Sequence, residues 1–182
     1  RAVSWVLDAT PLIYLAKADR LDVIETLDGP RIVPETVYRE VVTTGVEQGY
    51  DDARRIERAV EDGLVDVVAV DTDDSPVATR LARHPGLSGA DVAVLACADA
   101  RDATAVMDES AGRSAAEVED VETRGTAYLV LAPVRDGQLS KAEGRDAIDA
   151  MIDHGWYVAP DVYTKVVGKL ESLGDGFANR SQ

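Results

Sequence analysis

Two apolar runs in this chain end directly on a carboxylate. Val3-Ser4-Trp5-Val6-Leu7 runs into Asp8, and Thr104-Ala105-Val106-Met107 runs into Asp108. Read as strands, these runs hold their acids at carboxyl ends, where open parallel sheets bind ligands. As neighbours in one sheet the two acids would stand roughly 5 Å apart. Carboxylates that close repel each other and need a shared proton or a cation to be tolerated. A hard cation with oxygen ligands is the simplest answer, because Mg²⁺ takes one or two carboxylates and leaves its other positions to water and substrate phosphate. Two further acids could join them. Asp91 lies at the start of a helix opened by Ser88-Gly89-Ala90, and Glu40 lies in the second turn of its helix, beside the apolar face. Glu109 follows Asp108 directly and could replace or assist it.

The elements that must position these acids alternate along the chain. After the first strand, Thr10 reads as the N-cap of a helix with Pro11 at its first position. A short helix through Leu21, Val23, Ile24 and Leu27 stops near Gly29-Pro30, and Arg31-Ile32-Val33 reads as a strand. Pro34 starts a helix with Val37, Tyr38, Val41 and Val42 on its buried side. A charged amphipathic helix over 51–62, a strand over 65–70 and an acidic loop over 71–75 come next, then a helix from Pro76. The Ser88 helix runs to about Ala100, and Ser110 caps a helix through about Glu119. Strands alternating with helices predict a parallel α/β sheet. Beyond Gly125 the pattern changes to three helical segments near 126–134, 140–153 and 160–172. This divides the chain into an α/β domain over 1–125 and a C-terminal helical extension over 126–182, packed on the same domain.

A chain of 182 residues with 46% hydrophobic content can build a real core. No stretch approaches the roughly 18 consecutive apolar residues of a membrane helix. No signal peptide is visible, and a start at Arg1 without Met suits a trimmed start. The single cysteine, Cys97, sits in an apolar run and reads as packing, which makes a reducing cytoplasm the default location. Charge is the unusual feature. Asp and Glu number 34 against 19 Lys and Arg, a net of −15, spread along the whole chain. Such an even spread resembles a cytoplasmic protein of a salt-loving microbe, kept soluble where salt screens repulsion. With 34 acids in 182 residues, no single carboxylate means much; placement at strand ends carries the argument.

The arrangement resembles the PIN-domain nucleases. The matching text is Val6-Leu7-Asp8-Ala9-Thr10, Val37-Tyr38-Arg39-Glu40-Val41, Leu87-Ser88-Gly89-Ala90-Asp91-Val92-Ala93-Val94-Leu95 and Val106-Met107-Asp108-Glu109, covering about residues 3–125. Gly125-Thr126, leading into extra helices, is similar to a prokaryotic subgroup of that family. The resemblance implies a three-layer α/β/α fold with a parallel central sheet. It also implies a metal-dependent endoribonuclease using Mg²⁺ or Mn²⁺. Asp8, Asp91 and Asp108 would be metal ligands, and Glu40 a ligand or a base acting through water. The metal would orient a water and neutralise the scissile phosphate. Many such proteins are toxins, so an antitoxin partner is implied as an option.

Gripping a polyanion with so acidic a chain falls to local arginines, with Arg39, Arg113 and the Arg54-Arg55-Arg58 cluster as candidates. Thr10 and Arg113 are the substrate-binding candidates. Each has a plainer reading: Thr10 as a helix cap, and Arg113 as an ion-pair partner of Glu109 or Glu117. Asp91 has one too, since Ser88-x-x-Asp91 matches a capping box. His84 and His154 read as surface or structural groups. The run Tyr128-Leu129-Val130-Leu131-Ala132 reads as core, with a homodimer face as the second option. The rival from another class is a non-catalytic module of the same fold that binds RNA or protein. An aspartyl phosphatase is disfavoured because Asp8-Ala9-Thr10 lacks a second Asp two residues on.

Overall fold

The computed structural model describes residues 3–173. Five parallel strands form one sheet in the order β3-β2-β1-β4-β5. They are β1 (Trp5–Leu7), β2 (Arg31–Pro34), β3 (Asp66–Val68), β4 (Thr104–Val106) and β5 (Thr123–Arg124). β1 and β4 are buried at every position, as strands covered by helices on both faces must be. Their apolar runs carry no alternation for that reason.

The helices of the α/β part are α1 (Ala9–Lys17), α2 (Glu35–Tyr38), α3 (Thr44–Glu47), α4 (Asp51–Glu61), α5 (Pro76–Leu81), α6 (Gly89–Arg101) and α7 (Ser110–Val118). A 3₁₀ turn spans Leu21–Thr26, and a π-helical turn, Arg39–Thr43, joins α2 to α3. α6 is the central crossover. It carries the chain back over the sheet and packs on β1, β2 and β4. Residues Asp91 through Ala98 are all buried, so this helix shows no polar stripe over that stretch.

The order of the strands creates the crevice. From β1 the chain builds outward through β2 and β3 on one side, then returns to lay β4 and β5 on the other. Connections therefore leave β1 and β4 in opposite directions, and a cleft opens beyond their carboxyl ends. Leu7 is level with Val106, and the ladder continues one step as Asp8 N–H donates to Val106 O at 3.1 Å. Asp8 and Asp108 thus both lie at the switch point, as expected of neighbouring strands.

The last helices are α8 (Tyr128–Arg135), α9 (Lys141–Asp153) and α10 (Pro160–Ser172). They pack on one another, on the 3₁₀ turn and on α1. In α8, Leu129, Val130 and Ala132 are buried, so this apolar run is core. No helix of the described residues is long and apolar enough to cross a membrane.

Two expected caps differ in the structure. Asp8, not Thr10, is the N-cap of α1, its carboxylate accepting from Ala9 N–H. Glu109, not Ser110, is the N-cap residue of α7, by backbone conformation alone. β1 ends with its apolar run at Leu7 and β4 one residue before its run ends at Met107, and in both cases an acid stands immediately before the helix. β5, only two residues long, is a strand that the sequence pattern does not reveal.

Candidate metal centre

Asp8 is, together with Asp91, the most buried acid of the candidate site. It sits between β1 and α1, is only 6% exposed, and accepts one hydrogen bond, from Ala9 N–H to Oδ1 at 2.8 Å. Burial pushes its carboxyl up from 3.8 to about 6; the Ala9 N–H opposes this, and the charges of Asp91, Glu109 and Glu40 push it further up. The acids with a resolved influence on Asp8 therefore come from the openings of three other helical segments.

Asp91 reaches the site from the first turn of α6. It forms the expected capping box, but with one oxygen only. Its Oδ2 accepts from Ser88 N–H at 2.7 Å and from Ser88 Oγ–H at 2.8 Å, and Ser88 Oγ accepts from Asp91 N–H. Oδ1 accepts no hydrogen bond among the described residues. The cap thus occupies one oxygen of this carboxylate and leaves the other uncommitted.

Glu40 is exposed and lies in the π-helical turn. Such a turn inserts one residue into a helix and re-aims the side chains beyond it; it recurs at functional sites. Arg39, next to it, pairs with Glu35 at 3.6 Å on the surface. Arg55 donates to Ala16 O at 2.8 Å and serves to tie α4 to α1.

Asp108 and Glu109, which the sequence does not rank, differ in their surroundings. Both Asp108 oxygens are taken: Oδ1 accepts from Thr126 N–H at 2.7 Å, while Oδ2 accepts from Thr126 Oγ1–H at 2.9 Å and from the Trp156 indole at 3.0 Å. Thr126 is fully buried and Trp156 nearly so. Glu109 is exposed, and it is the one whose charge acts on Asp8. Arg113 stands beside Asp108. A Cβ on Gly125 would meet Asp108 Oδ1 at 3.2 Å and Arg113 Nη1 at 3.3 Å, so glycine keeps this corner open. Arg113 is exposed and makes no ion pair among the described residues. Thr10, one residue into α1, is half-buried and caps nothing. Both histidines are exposed and bond to nearby backbone, His84 Nδ1 to Gly86 N–H and His154 Nδ1 to Ala150 O.

Trp156 is the residue that the sequence does not point to. It follows Gly155 in the break between α9 and α10, 48 positions from Asp108, and no local pattern links the two. Thr126 carries a signal only as part of the Gly125-Thr126 element.

Among the described residues, no three His, Cys, Asp or Glu side chains stand close enough together to hold an ion. The donor chemistry still suits a hard divalent cation. Asp8 and Asp91 are buried acids, each with one oxygen uncommitted, and Mg²⁺ is commonly held by one or two carboxylates with water completing its shell.

A parallel sheet carrying buried acids at its switch point defines an α/β protein with a candidate metal centre. The model of the PIN-domain family matches residues 4–172, and the chain belongs to that family, whose nucleases generally use divalent metals. The match runs through the C-terminal helices as well as the α/β part. Among solved structures, the chain is similar to one in VapBC-1 from nontypeable Haemophilus influenzae. The identity is 16%, the TM-score 0.53, and the overlap 68% of this chain and 98% of the other. That likeness is one of fold. A comparison with curated proteins finds no match.

Proposed function

We propose that this protein is a metal-dependent endoribonuclease that hydrolyses RNA phosphodiester bonds with Mg²⁺ or Mn²⁺. The observation that carries this reading is Asp8, a buried carboxylate raised to about 6 by burial and by three other acids. A cluster that repels itself is stabilised by a cation, and its position beyond the carboxyl ends of parallel strands supports a ligand site there. Asp8 and Asp91 would hold the ion through their uncommitted oxygens. Glu40 and Glu109, exposed and on longer side chains, would close on it from the rim. When bound, the ion would supply a nucleophilic water near neutral pH and neutralise charge on the phosphate. Asp108 belongs to this reading as the acid that fixes the floor of the site through Thr126 and Trp156. Arg113, at the Gly125 corner, would grip a substrate phosphate, and Thr10 would face the same crevice.

The test is hydrolysis of single-stranded RNA with Mg²⁺, with Mn²⁺ and with excess chelator, for wild type and Asp8→Asn. Cleavage confined to wild type with metal supports the proposal. RNA binding without cleavage under every condition would instead support the non-catalytic module. The family and the VapBC-1 likeness support a toxin with an antitoxin partner, and a homodimer in solution belongs to the same proposal. Co-expression with the product of an adjacent gene and light scattering on the purified protein test these two points.

A further inference from the structure

A cavity of about 240 Å³ opens beside Glu40, between α1, the π-helical turn and the start of α4. Ile13 and Val41 contribute apolar lining, and Tyr50 contributes an aromatic ring. Tyr50 is 54% exposed, which leaves much of its ring open to a ligand. Its ring edge comes against Gly45, where a Cβ would meet Tyr50 Cδ2 at 3.7 Å. Lys17, Gln48 and Asp52 also line it.

The charges choose the ligand. The lining carries one cationic residue, Lys17, against two acidic ones, Glu40 and Asp52, a balance that disfavours a phosphate in the interior. An uncharged planar group that stacks on tyrosine and offers N–H donors to carboxylates suits it. Unpaired nucleobases do both: they stack on aromatic faces and are read along their Watson–Crick edges. Acidic side chains accept from exocyclic amino groups, cytosine N4 among them. Lys17 makes no ion pair among the described residues and lies 5.6 Å over the Tyr14 ring, which leaves its charge for the sugar-phosphate backbone of a bound strand.

We propose that this cavity is a nucleobase subsite for single-stranded RNA, stacking one unpaired, amino-bearing base on Tyr50 next to the metal centre. It rests on the ribonuclease reading. Glu40 links the two, since it lines the cavity and its charge acts on Asp8.

The experiment is fluorescence anisotropy with labelled single-stranded oligonucleotides in Mg²⁺, on the full chain carrying Asp8→Asn so that RNA is not consumed. Tyr50→Phe and Tyr50→Ala are then added, with melting curves for each. Tyr50→Phe should hold affinity within about twofold, and Tyr50→Ala should lose about tenfold or more. Oligocytidine should bind more tightly than oligouridine, and Tyr50→Ala should erase that preference. Equal binding by folded Tyr50→Ala and its parent would overturn the subsite while leaving the nuclease reading intact. A parent that binds no RNA, together with a wild type that cuts none, would overturn both.

Discussion

The indole N–H of Trp156 donates to Asp108 Oδ2 at 3.0 Å, so the loop between α9 and α10 is fastened to the end of β4. The bond is made to a charged acceptor in a half-buried place, where such bonds contribute about 1.5–3 kcal/mol. It makes the helical extension part of the floor of the candidate site. Trp156→Phe keeps most of the ring and removes the donor. Its melting midpoint should fall by an amount corresponding to about 1–3 kcal/mol, and Trp156→Ala should lose about 3–5 kcal/mol. A Trp156→Phe protein as stable as wild type would show that the bond contributes nothing.

Asp108 and Glu109 should separate cleanly. Asp108→Asn replaces one acceptor oxygen by a donor facing Thr126 or Trp156, at a cost of about 1–3 kcal/mol. Glu109 is exposed, and Glu109→Gln should change stability by no more than about 0.5 kcal/mol. Cleavage by Glu109→Gln should nevertheless fall on the order of a hundredfold. Wild-type rates for Glu109→Gln, beside a stable but dead Asp108→Asn, would reverse the two roles.

Asp8 gives a stability profile with a defined sign. Its folded carboxyl is raised from 3.8 to about 6, so the folded state keeps its proton longer than the unfolded chain. In chelator, this contribution is fully present below about pH 4 and is lost as pH rises through about 6. Above pH 6 the ionised Asp8 therefore costs up to about 3 kcal/mol. Asp8→Asn cannot ionise. In chelator it should melt above wild type at pH 8, with the advantage gone by pH 4. Calorimetry across that range decides it; a gap that widens on acidification has the wrong sign.

Divalent metal should reverse that order. Mg²⁺ or Mn²⁺ at pH 8 should raise the wild-type midpoint by mass action on the folded state. Asp8→Asn should gain much less, while the control Glu57→Gln, on α4, should respond like wild type. A full metal shift in Asp8→Asn would remove Asp8 from the ligand set.

The acid excess itself makes a salt prediction. If the net charge of −15 is an adaptation to salt, molar KCl should raise the melting temperature, because screening shortens the reach of repulsion to about 3 Å at 1 M. A steady fall from low to molar KCl would rule that out.

The parallel sheet and the placing of Asp8 and Asp108 at its switch point were legible in the sequence. Buried parallel strands must be nearly continuous apolar runs, and the residue that ends such a run is visible by contrast. Ser88-x-x-Asp91 was legible as a cap because a capping box is a local motif, complete within four residues. What the sequence could not settle depends on directions in space. Adjacent Asp108 and Glu109 look equivalent as text; the turn from β4 into α7 sends one under Thr126 and Trp156 and leaves the charge of the other acting on Asp8. The caps of α1 and α7 differ from the sequence pattern by one or two residues for the same reason, since a strand's last hydrogen bond is set by its neighbour. Trp156 met Asp108 only through the packing of α9 and α10, a contact across 48 residues that no local spacing encodes. The division of Asp91 into a capping oxygen and an uncommitted one likewise exists only in three dimensions, because sequence names a carboxylate but not which way its two oxygens point.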